Sequence, residues 1–264
     1  MVSGSKKKVL VAGATGYIGK AVVAELLDRD YIVFAIVRKE NQLEYSDQSN
    51  LNVISLEIGK NSDWTKQLPK IDIIISCLAS RSGCERDANF VDYSLNSDLL
   101  YFALKIKLQH FIVLSAICIQ KPKLAFQRAK LRFNSKLMSS GLRYSIVLPT
   151  AFFKSLSGQV NRIKNGKSFL VFGTGKRTSS LPISEIDLAK YIVNCIESEE
   201  SWNKSLPVGG PGPAVTPLDQ AKMLFEIFDK PKKIKHVSPR FFDFAIILLF
   251  PVSLFSQKIK DKLE

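Results

Sequence analysis

The sequence predicts an α/β fold in which a parallel β-sheet is covered by helices on both faces. Apolar runs of strand length alternate with segments of helical apolar spacing along the first 150 residues. This alternation is typical of parallel sheets whose strands are buried on both faces. A glycine-rich turn also joins the first apolar run to the first helical segment. The chain has 264 residues, which is long enough to bury a sizeable core.

The apolar runs define the elements in chain order. Residues 9–12 form the first strand, and the helix after it places Ile18, Val22 and Leu26 on one face. The next strand, at 31–37, is apolar throughout and suits burial on both faces. Further strands are predicted at 53–56, 71–78, 110–115 and 144–148, with helices at 93–107 and 125–139. Gly141 is expected to close the last of these helices as its C-cap.

The turn after the first strand carries glycine at three spaced positions, Gly13, Gly16 and Gly19. The first glycine permits a tight turn, the second lets the backbone approach a pyrophosphate, and the third lets the helix pack closely on the sheet. The helix N-terminus then offers unpaired N–H groups to phosphates. The context is typical of Rossmann-type NAD(P) binding. The residues of the turn expected to bind the cofactor are Gly13, Thr15, Gly16, Tyr17, Ile18 and Gly19.

The end of the second strand indicates which nicotinamide cofactor is bound. An NAD-selective pocket places an acidic residue there for the ribose hydroxyls. This strand instead ends at Val37 and is followed by Arg38 and Lys39. A guanidinium can pair with a 2′-phosphate, so Arg38 favours NADPH. The alternative is an exposed cation at a strand end with no ligand.

The regular alternation of predicted strands and helices ends after Pro149, where glycine and proline become more frequent. Short strands are predicted at Phe169–Phe172 and Lys204–Val208, and helices at 185–197 and 217–228. We therefore expect one domain with two parts. The Rossmann-type, doubly wound core covers about residues 7–150, and a small C-terminal substrate-side subdomain covers about 151–264.

The formal charge of +14 is unusual. A lysine-rich solvated surface and attraction to an anionic partner both account for it. Basic stretches are not interleaved with aromatic residues, so no nucleic-acid partner is expected. The four cysteines form no C-x-x-C pair and the two histidines lie far apart, so no metal site is expected.

The two ends of the chain bear on its location. Residues 1–8 lack the apolar segment of a secretory signal, so the protein is not expected to be secreted. Residues 241–255 are the most apolar stretch, but they are too short for a membrane span and contain Asp243 and Pro251. Lysines follow this stretch at positions 258, 260 and 262. Peripheral contact with an anionic membrane and burial against the sheet both remain open.

The glycine spacing resembles the short-chain dehydrogenase/reductase superfamily, in its extended or atypical branch. That superfamily carries a serine or threonine after the fifth strand and a Tyr-x-x-x-Lys on the next helix. Ser115 stands at the first place, and Phe126 and Lys130 stand at the second. The lysine is kept, but a phenylalanine has no proton to exchange. Alcohol dehydrogenation by a tyrosine is therefore not expected.

A closer resemblance lies in residues 76–83, 114–122, 126–130, 149–156 and 206–212. These stretches are similar to the NADPH-dependent divinyl chlorophyllide 8-vinyl reductases of chlorophyll biosynthesis, and the likeness runs from about Val9 to Phe250. This family also lacks the tyrosine, so Phe126 agrees with it. Its members continue for several tens of residues beyond the position of Glu264, and a relative without that segment is expected to bind substrate weakly or to lack activity.

The resemblance implies a reaction, a substrate and a location. The 8-vinyl group of a divinyl (proto)chlorophyllide, a tetrapyrrole, becomes an ethyl group. The enzyme would act in the cytoplasm of a photosynthetic bacterium, or in the stroma or at the thylakoid surface of a plastid. Lys130 would be catalytic, holding the nicotinamide ribose and relaying a proton. The other cofactor contacts would be Ala79, Ser80, Ser115, Pro149 and Thr150. Phe126, Phe152 and Phe153 would line the flat substrate pocket, for which ordinary core packing is the alternative.

Two other functions remain open. Phe126 also fits a non-catalytic nucleotide-binding regulator or assembly factor of the same superfamily. A reductase of another conjugated alkene, similar to the isoflavone reductase-like branch, would also use a lysine without a tyrosine.

Overall fold

The computed structural model describes residues 6–38, 48–59, 64–238 and 240. The chain forms two compact units. Among the described residues, the first unit comprises those up to Pro149 together with Glu185–Val208, and the second comprises Thr150–Ser184 together with those from Gly209 onward. The expected subdomain at 151–264 included residues 185–208. These residues belong to the first unit because their strand pairs with the strand that ends at Pro149.

The first unit is built on a seven-stranded sheet in which every neighbouring pair is parallel. Its strands are β1 (Lys8–Ala12), β2 (Ile32–Val37), β3 (Leu51–Ser55), β4 (Ile73–Ser76), β5 (His110–Leu114), β6 (Tyr144–Pro149) and β8 (Lys204–Val208). β7 (Phe169–Phe172) and β9 (Ile234–Val237) lie in the second unit. The strand order is β3-β2-β1-β4-β5-β6-β8, so the chain reverses its direction of winding between β1 and β4. This confirms the predicted doubly wound sheet, and such a reversal point is where ligands bind.

In the described residues, the helices run in chain order from α1 to α8. They are α1 (Tyr17–Asp28), α2 (Glu85–Ala88), α3 (Asn96–Lys105), α4 (Ala125–Met138), α5 (Phe153–Leu156), α6 (Val160–Lys164), α7 (Glu185–Asn194) and α8 (Pro217–Ile227). A π-helical segment, Asn89–Leu95, joins α2 to α3. The sequence predicted one helix over 93–107, and the structure divides this region between the π-helical segment and α3.

The core of the first unit lies on both faces of its central strands. β4 and β5 are buried along their whole length, and β2 is buried except at its first residue. This confirms the expectation from the unbroken apolar runs. Phe111 of β5 packs at a centroid distance of 6.0 Å from Phe133 of α4, so the helix is fixed on the sheet by aromatic contact.

The second unit has its own small core. β7 and β9 form a parallel pair, and α6 and α8 pack with them around Ile163, Phe169 and Phe225. Helix α8 begins with Thr216 as N-cap, whose hydroxyl accepts from the Asp219 amide at 3.2 Å. The predicted strand at Phe169–Phe172 is confirmed. β9 was not predicted because Lys235 and His236 interrupt its apolar pattern.

One sequence expectation concerns the C-terminal end of helix α4. The prediction that Gly141 caps α4 was wrong, because Ser139 is the C-cap and Gly141 follows two residues later at a φ of 79°.

The apolar stretch 241–255 and the lysines after it lie outside the described residues. Among the residues that are described, no helix is long and apolar enough to cross a membrane.

Candidate functional site

The glycine turn lies against the backbone that follows β4. Gly13 has a φ of 79°, a conformation that strains any residue with a side chain. A Cβ atom at Gly13 would lie 2.8 Å from the carbonyl carbon and oxygen of Cys77. The turn therefore fits only with glycine at this position, and it lies at the point where the sheet reverses its winding.

The N-terminus of α1 is open for an anion. Gly16 is the N-cap, it is exposed, and no side chain caps the helix. The first turn contains no acidic residue. A Cβ atom at Gly19 would lie 2.1 Å from the Gly13 carbonyl oxygen, so the helix starts directly against the turn. Exposed glycine backbone at a helix N-terminus fits the diphosphate of a dinucleotide.

The other turn residues are placed as follows. Thr15 is half-buried, and Ile18, in the first turn of α1, is buried. The Tyr17 hydroxyl donates to the Glu185 carboxylate at the start of α7. Burial, together with this carboxylate, raises the pKa of Tyr17 to about 12. The tyrosine therefore stays protonated and ties the start of α1 to α7.

Arg38 follows β2 directly and is exposed. In the parallel register Val11 of β1 pairs with Ala35 of β2, so Arg38 and the glycine turn lie at the same edge of the sheet. This placement is compatible with the predicted contact to a 2′-phosphate.

Carboxylates organise the loop after β4, which contains Ala79 and Ser80. The Ser80 amide donates to Asp92 Oδ2 at 3.4 Å. The Asp87 carboxylate accepts from the amides of Arg81 and Ser82 at 3.0 and 2.9 Å. The backbone of this loop is thus fixed by carboxylates of α2 and of the π-helical segment that follow it.

Lys130 is the central charged group of the site. It is 7% exposed, and its ammonium lies 3.0 Å from Asp92 Oδ1. The same ammonium donates to the carbonyl of Leu114, the last residue of β5, at 3.2 Å. Lys130 therefore lies at the carboxyl end of β5, and its ion pair with Asp92 was not predicted from the sequence.

Further polar side chains extend this cluster on both sides. Ser115 is 5% exposed, and its hydroxyl accepts from the Asn134 amide at 2.9 Å. Ser76 at the end of β4 donates to Asn96 Oδ1 at 2.6 Å. Burial raises the pKa of the neighbouring Cys77 thiol to about 12, against the opposing effect of Lys130. Cys77 is therefore a neutral thiol and not a nucleophile.

Sequence reasoning missed Asp92, Asn96 and Asn134. A signal for them exists in the helical spacing. Asp92 and Asn96 lie four residues apart, as do Lys130 and Asn134, and in both pairs the polar side chains interrupt an otherwise apolar buried face. Two such interruptions on successive helices indicate that the polar faces meet.

The aromatic and proline positions divide between the units. In the first unit, Phe126 is half-buried and packs against the buried cluster of Ala88, Ala125 and Ala129. Pro149 ends β6, and its carbonyl accepts from the Ile117 amide at 3.1 Å, which joins the loop after β5 to β6. The contact of Phe126 with the alanines agrees with ordinary packing, so its role toward a substrate stays a prediction.

Thr150, Phe152 and Phe153 belong to the second unit. The Thr150 hydroxyl donates to the Leu181 carbonyl. Phe152 forms a parallel bridge with Ile183, and Phe153 is 56% exposed. An exposed phenylalanine is available to a ligand, and the assignment of these residues to the site stays a prediction.

The fold and the glycine turn define a nicotinamide-dinucleotide-binding protein of the Rossmann type. The family described as NAD(P)H-binding matches residues 13–199. The UDP-glucuronic acid 4-epimerase of Bacillus cereus, solved in complex with NAD, superposes with a TM-score of 0.76 at 19% identity, covering 88% of this chain and 87% of the epimerase. This likeness shows the fold.

Two plant proteins are much more similar in sequence. The chloroplastic divinyl chlorophyllide a 8-vinyl-reductase of Cucumis sativus is 43% identical over 94% of this chain. The protein of the same name from Oryza sativa is 42% identical over 98% of this chain. The chain spans 63% of the cucumber protein and 68% of the rice protein. This protein therefore belongs to the divinyl chlorophyllide a 8-vinyl-reductase family.

Proposed function

We propose that this protein reduces the 8-vinyl group of a divinyl (proto)chlorophyllide to an ethyl group, with NADPH as the reductant. The observation that carries the proposal is the pairing of Phe126 and Lys130 on α4. The buried lysine is retained at the carboxyl end of β5, while the position expected to supply a tyrosine hydroxyl holds a phenylalanine. Identity of 43% and 42% to reductases of this name supports the same substrate.

The chemistry of the vinyl group explains why a tyrosine is not required. Reduction adds one hydride to the terminal carbon and one proton to the inner carbon of the vinyl group. NADPH supplies the hydride when it is bound. Negative charge then spreads into the conjugated macrocycle, and no alkoxide forms that would need an acid at an oxygen. Orientation and exclusion of water are therefore the main tasks of the protein.

The residues of the chain divide these tasks. The glycine turn and the N-terminus of α1 hold the diphosphate, and Arg38 pairs with the 2′-phosphate that distinguishes NADPH from NADH. Lys130 holds a ribose hydroxyl on the nicotinamide side and passes a proton toward the inner carbon. The residues flanking the nicotinamide ribose and ring are Ala79, Ser80, Ser115, Pro149 and Thr150. The tetrapyrrole faces Phe126, Phe152 and Phe153.

We place this activity in a plastid or in the cytoplasm of a photosynthetic bacterium. The relatives from cucumber and rice are named chloroplastic. The positive charge of the chain favours anionic surroundings, including the carboxylate of a chlorophyllide and an anionic membrane surface. Peripheral membrane contact through residues 241–255 is expected to make the protein sediment with anionic liposomes at low salt. Failure to sediment would remove this part of the proposal.

The decisive experiment is expression in a strain that accumulates divinyl pigment. The wild-type chain is expected to convert the pigment to its monovinyl form, and Lys130→Met is expected to reduce this conversion. Purified protein with divinyl chlorophyllide should oxidise NADPH at the same rate as monovinyl pigment appears. Binding of NADPH without its oxidation would overturn the proposal in favour of a non-catalytic nucleotide-binding protein. Oxidation with another conjugated alkene only would identify a different reductase.

A further inference from the structure

The ion pair between Asp92 and Lys130 is buried at the carboxyl ends of two neighbouring strands. The Asp92 side chain is 0% exposed and the Lys130 side chain 9% exposed, and their charged atoms lie 3.0 Å apart. Removing two charges from water is costly, and a buried pair is often no more stabilising than apolar residues of the same size. Stability alone therefore gives little reason for a charged pair at this position.

The two oxygens of Asp92 contact different elements. Oδ2 accepts from the Ser80 amide in the loop after β4, and Oδ1 faces the Lys130 ammonium on α4. Ser76 of β4 pairs with Val113 of β5, so these two strands are neighbours in the sheet. The carboxylate thus connects the loop that follows β4 to Lys130 on α4, the helix that follows β5.

The ammonium of Lys130 is fixed before any ligand arrives. One of its three N–H groups donates to the Leu114 carbonyl, and the ammonium also forms an ion pair with Asp92 at 3.0 Å. Its other N–H groups can donate to an acceptor in the crevice. Because the long lysine side chain is already ordered, a ligand that accepts from it loses less conformational entropy on binding.

The backbone around Asp92 is shaped for this contact. Asp92 lies in the π-helical segment. Such segments are rare in proteins, and those that occur are often found at functional sites. The Asn96 amide donates to the carbonyls of Val91 and Asp92 at 3.3 and 3.1 Å. Asn96 is itself held by the Ser76 hydroxyl of β4. The sheet thus anchors the widened turn that carries the carboxylate.

We infer that Asp92 is a positioning residue for the nicotinamide cofactor, because its buried carboxylate fixes the Lys130 ammonium and the Ser80 amide on two sides of the ribose site. The inference rests on the cofactor roles of Lys130 and Ser80 under the proposed function, but it requires no reduction of a vinyl group. Asp92 itself touches neither cofactor nor substrate and acts through its two partners.

A double-mutant cycle tests the inference through the dissociation constant for NADPH, followed by nicotinamide fluorescence. Asp92→Asn is expected to weaken NADPH binding about tenfold or more, the scale of a hydrogen bond to a charged group. In a Lys130→Met background the same substitution is expected to change binding less than about threefold, because most of its effect passes through the lysine. Asp92→Glu keeps the charge but moves the oxygens, and it is expected to weaken binding while the protein stays folded.

Thermal unfolding without cofactor separates positioning from general stability. Asp92→Asn is expected to lower Tm by about 10 °C, since it leaves the buried ammonium unpaired, but not to lower it in the Lys130→Met background. Leu137→Ala, at a fully buried position of the same helix, is the control. It is expected to lower Tm by a similar amount while NADPH affinity stays within about twofold of the wild type.

Three results would overturn the inference. They are wild-type NADPH affinity in both Asp92→Asn and Asp92→Glu, an equal loss of affinity from Asp92→Asn with and without Lys130, and an equal loss of affinity in Leu137→Ala. Absence of vinyl reduction by the wild-type chain, with the cycle behaving as expected, would refute the proposed function and leave the role of Asp92 in place.

Discussion

Alanine substitutions at two glycines of the nucleotide turn should separate folding from cofactor binding. A Cβ atom at Gly19 would lie 2.1 Å from the Gly13 carbonyl oxygen, whereas a Cβ atom at Gly16 would lie 3.1 Å from the same oxygen. Ordinary contact between these atoms begins at about 3.4 Å, so the first substitution requires a backbone shift of about 1 Å. The second requires a few tenths of an ångström.

The expected energies follow from these distances. Gly19→Ala displaces α1 from the turn, and overpacking of this kind costs about 1–3 kcal/mol or more. Gly16 has a φ of −74°, which alanine adopts without strain, so Gly16→Ala is expected to cost less than about 1 kcal/mol in stability. Its methyl group would nevertheless project into the proposed diphosphate site, and NADPH binding should weaken at least about tenfold.

Two measurements on each variant check this reasoning. Urea denaturation without cofactor gives the free energy of unfolding, and fluorescence titration gives the dissociation constant for NADPH. Gly16→Ala should be nearly as stable as the wild type and bind poorly, and Gly19→Ala should be clearly less stable. A Gly16→Ala variant with wild-type NADPH affinity would refute the placement of the diphosphate at the N-terminus of α1.

Three further predictions concern single side chains. Arg38→Ala should raise the KM for NADPH at least about tenfold and leave that for NADH nearly unchanged, and equal effects on both would show that Arg38 does not contact the 2′-phosphate. Phe126→Tyr should bring little gain in turnover, because the proposed reaction forms no alkoxide, and a large rate increase would contradict the proposed mechanism. Burial, assisted by the positive charge of Arg143, lowers the pKa of His110 from 6.5 to about 4. His110 takes up its proton at higher pH in the unfolded chain than in the folded one, so the free energy of unfolding should fall by about 2 kcal/mol from pH 7 to pH 5. Urea denaturation at the two pH values should show no such loss for His110→Gln, whereas His236→Gln should retain it.

The sheet was predictable from the sequence because burial on both faces imposes a simple pattern. The central strands are apolar along most of their length, and the turn after β1 requires glycine where a Cβ atom would meet backbone, as at Gly13. β9 escaped prediction for the opposite reason. Its side chains are largely exposed, and Lys235 and His236 remove the apolar signal.

Membership of a strand in one unit or the other was not predictable from its sequence. Lys204–Val208 follows the region rich in glycine and proline, yet it adds to the main sheet by pairing with β6. That choice depends on a backbone ladder between segments far apart in the chain. Local composition contains no information about such a ladder, so the expected subdomain boundary included residues that belong to the first unit.

The ion pair between Lys130 and Asp92 was also not predictable from the sequence, and it affects the chemistry that Lys130 can perform. A lysine next to a tyrosine can act through its net positive charge, which would stabilise a phenolate. With Phe126 in place of a tyrosine, that use disappears. The carboxylate of Asp92 at 3.0 Å then offsets much of the lysine charge at longer range. What remains is the direction of the N–H groups of Lys130, which suits the orientation of a ribose hydroxyl better than the stabilisation of an anion.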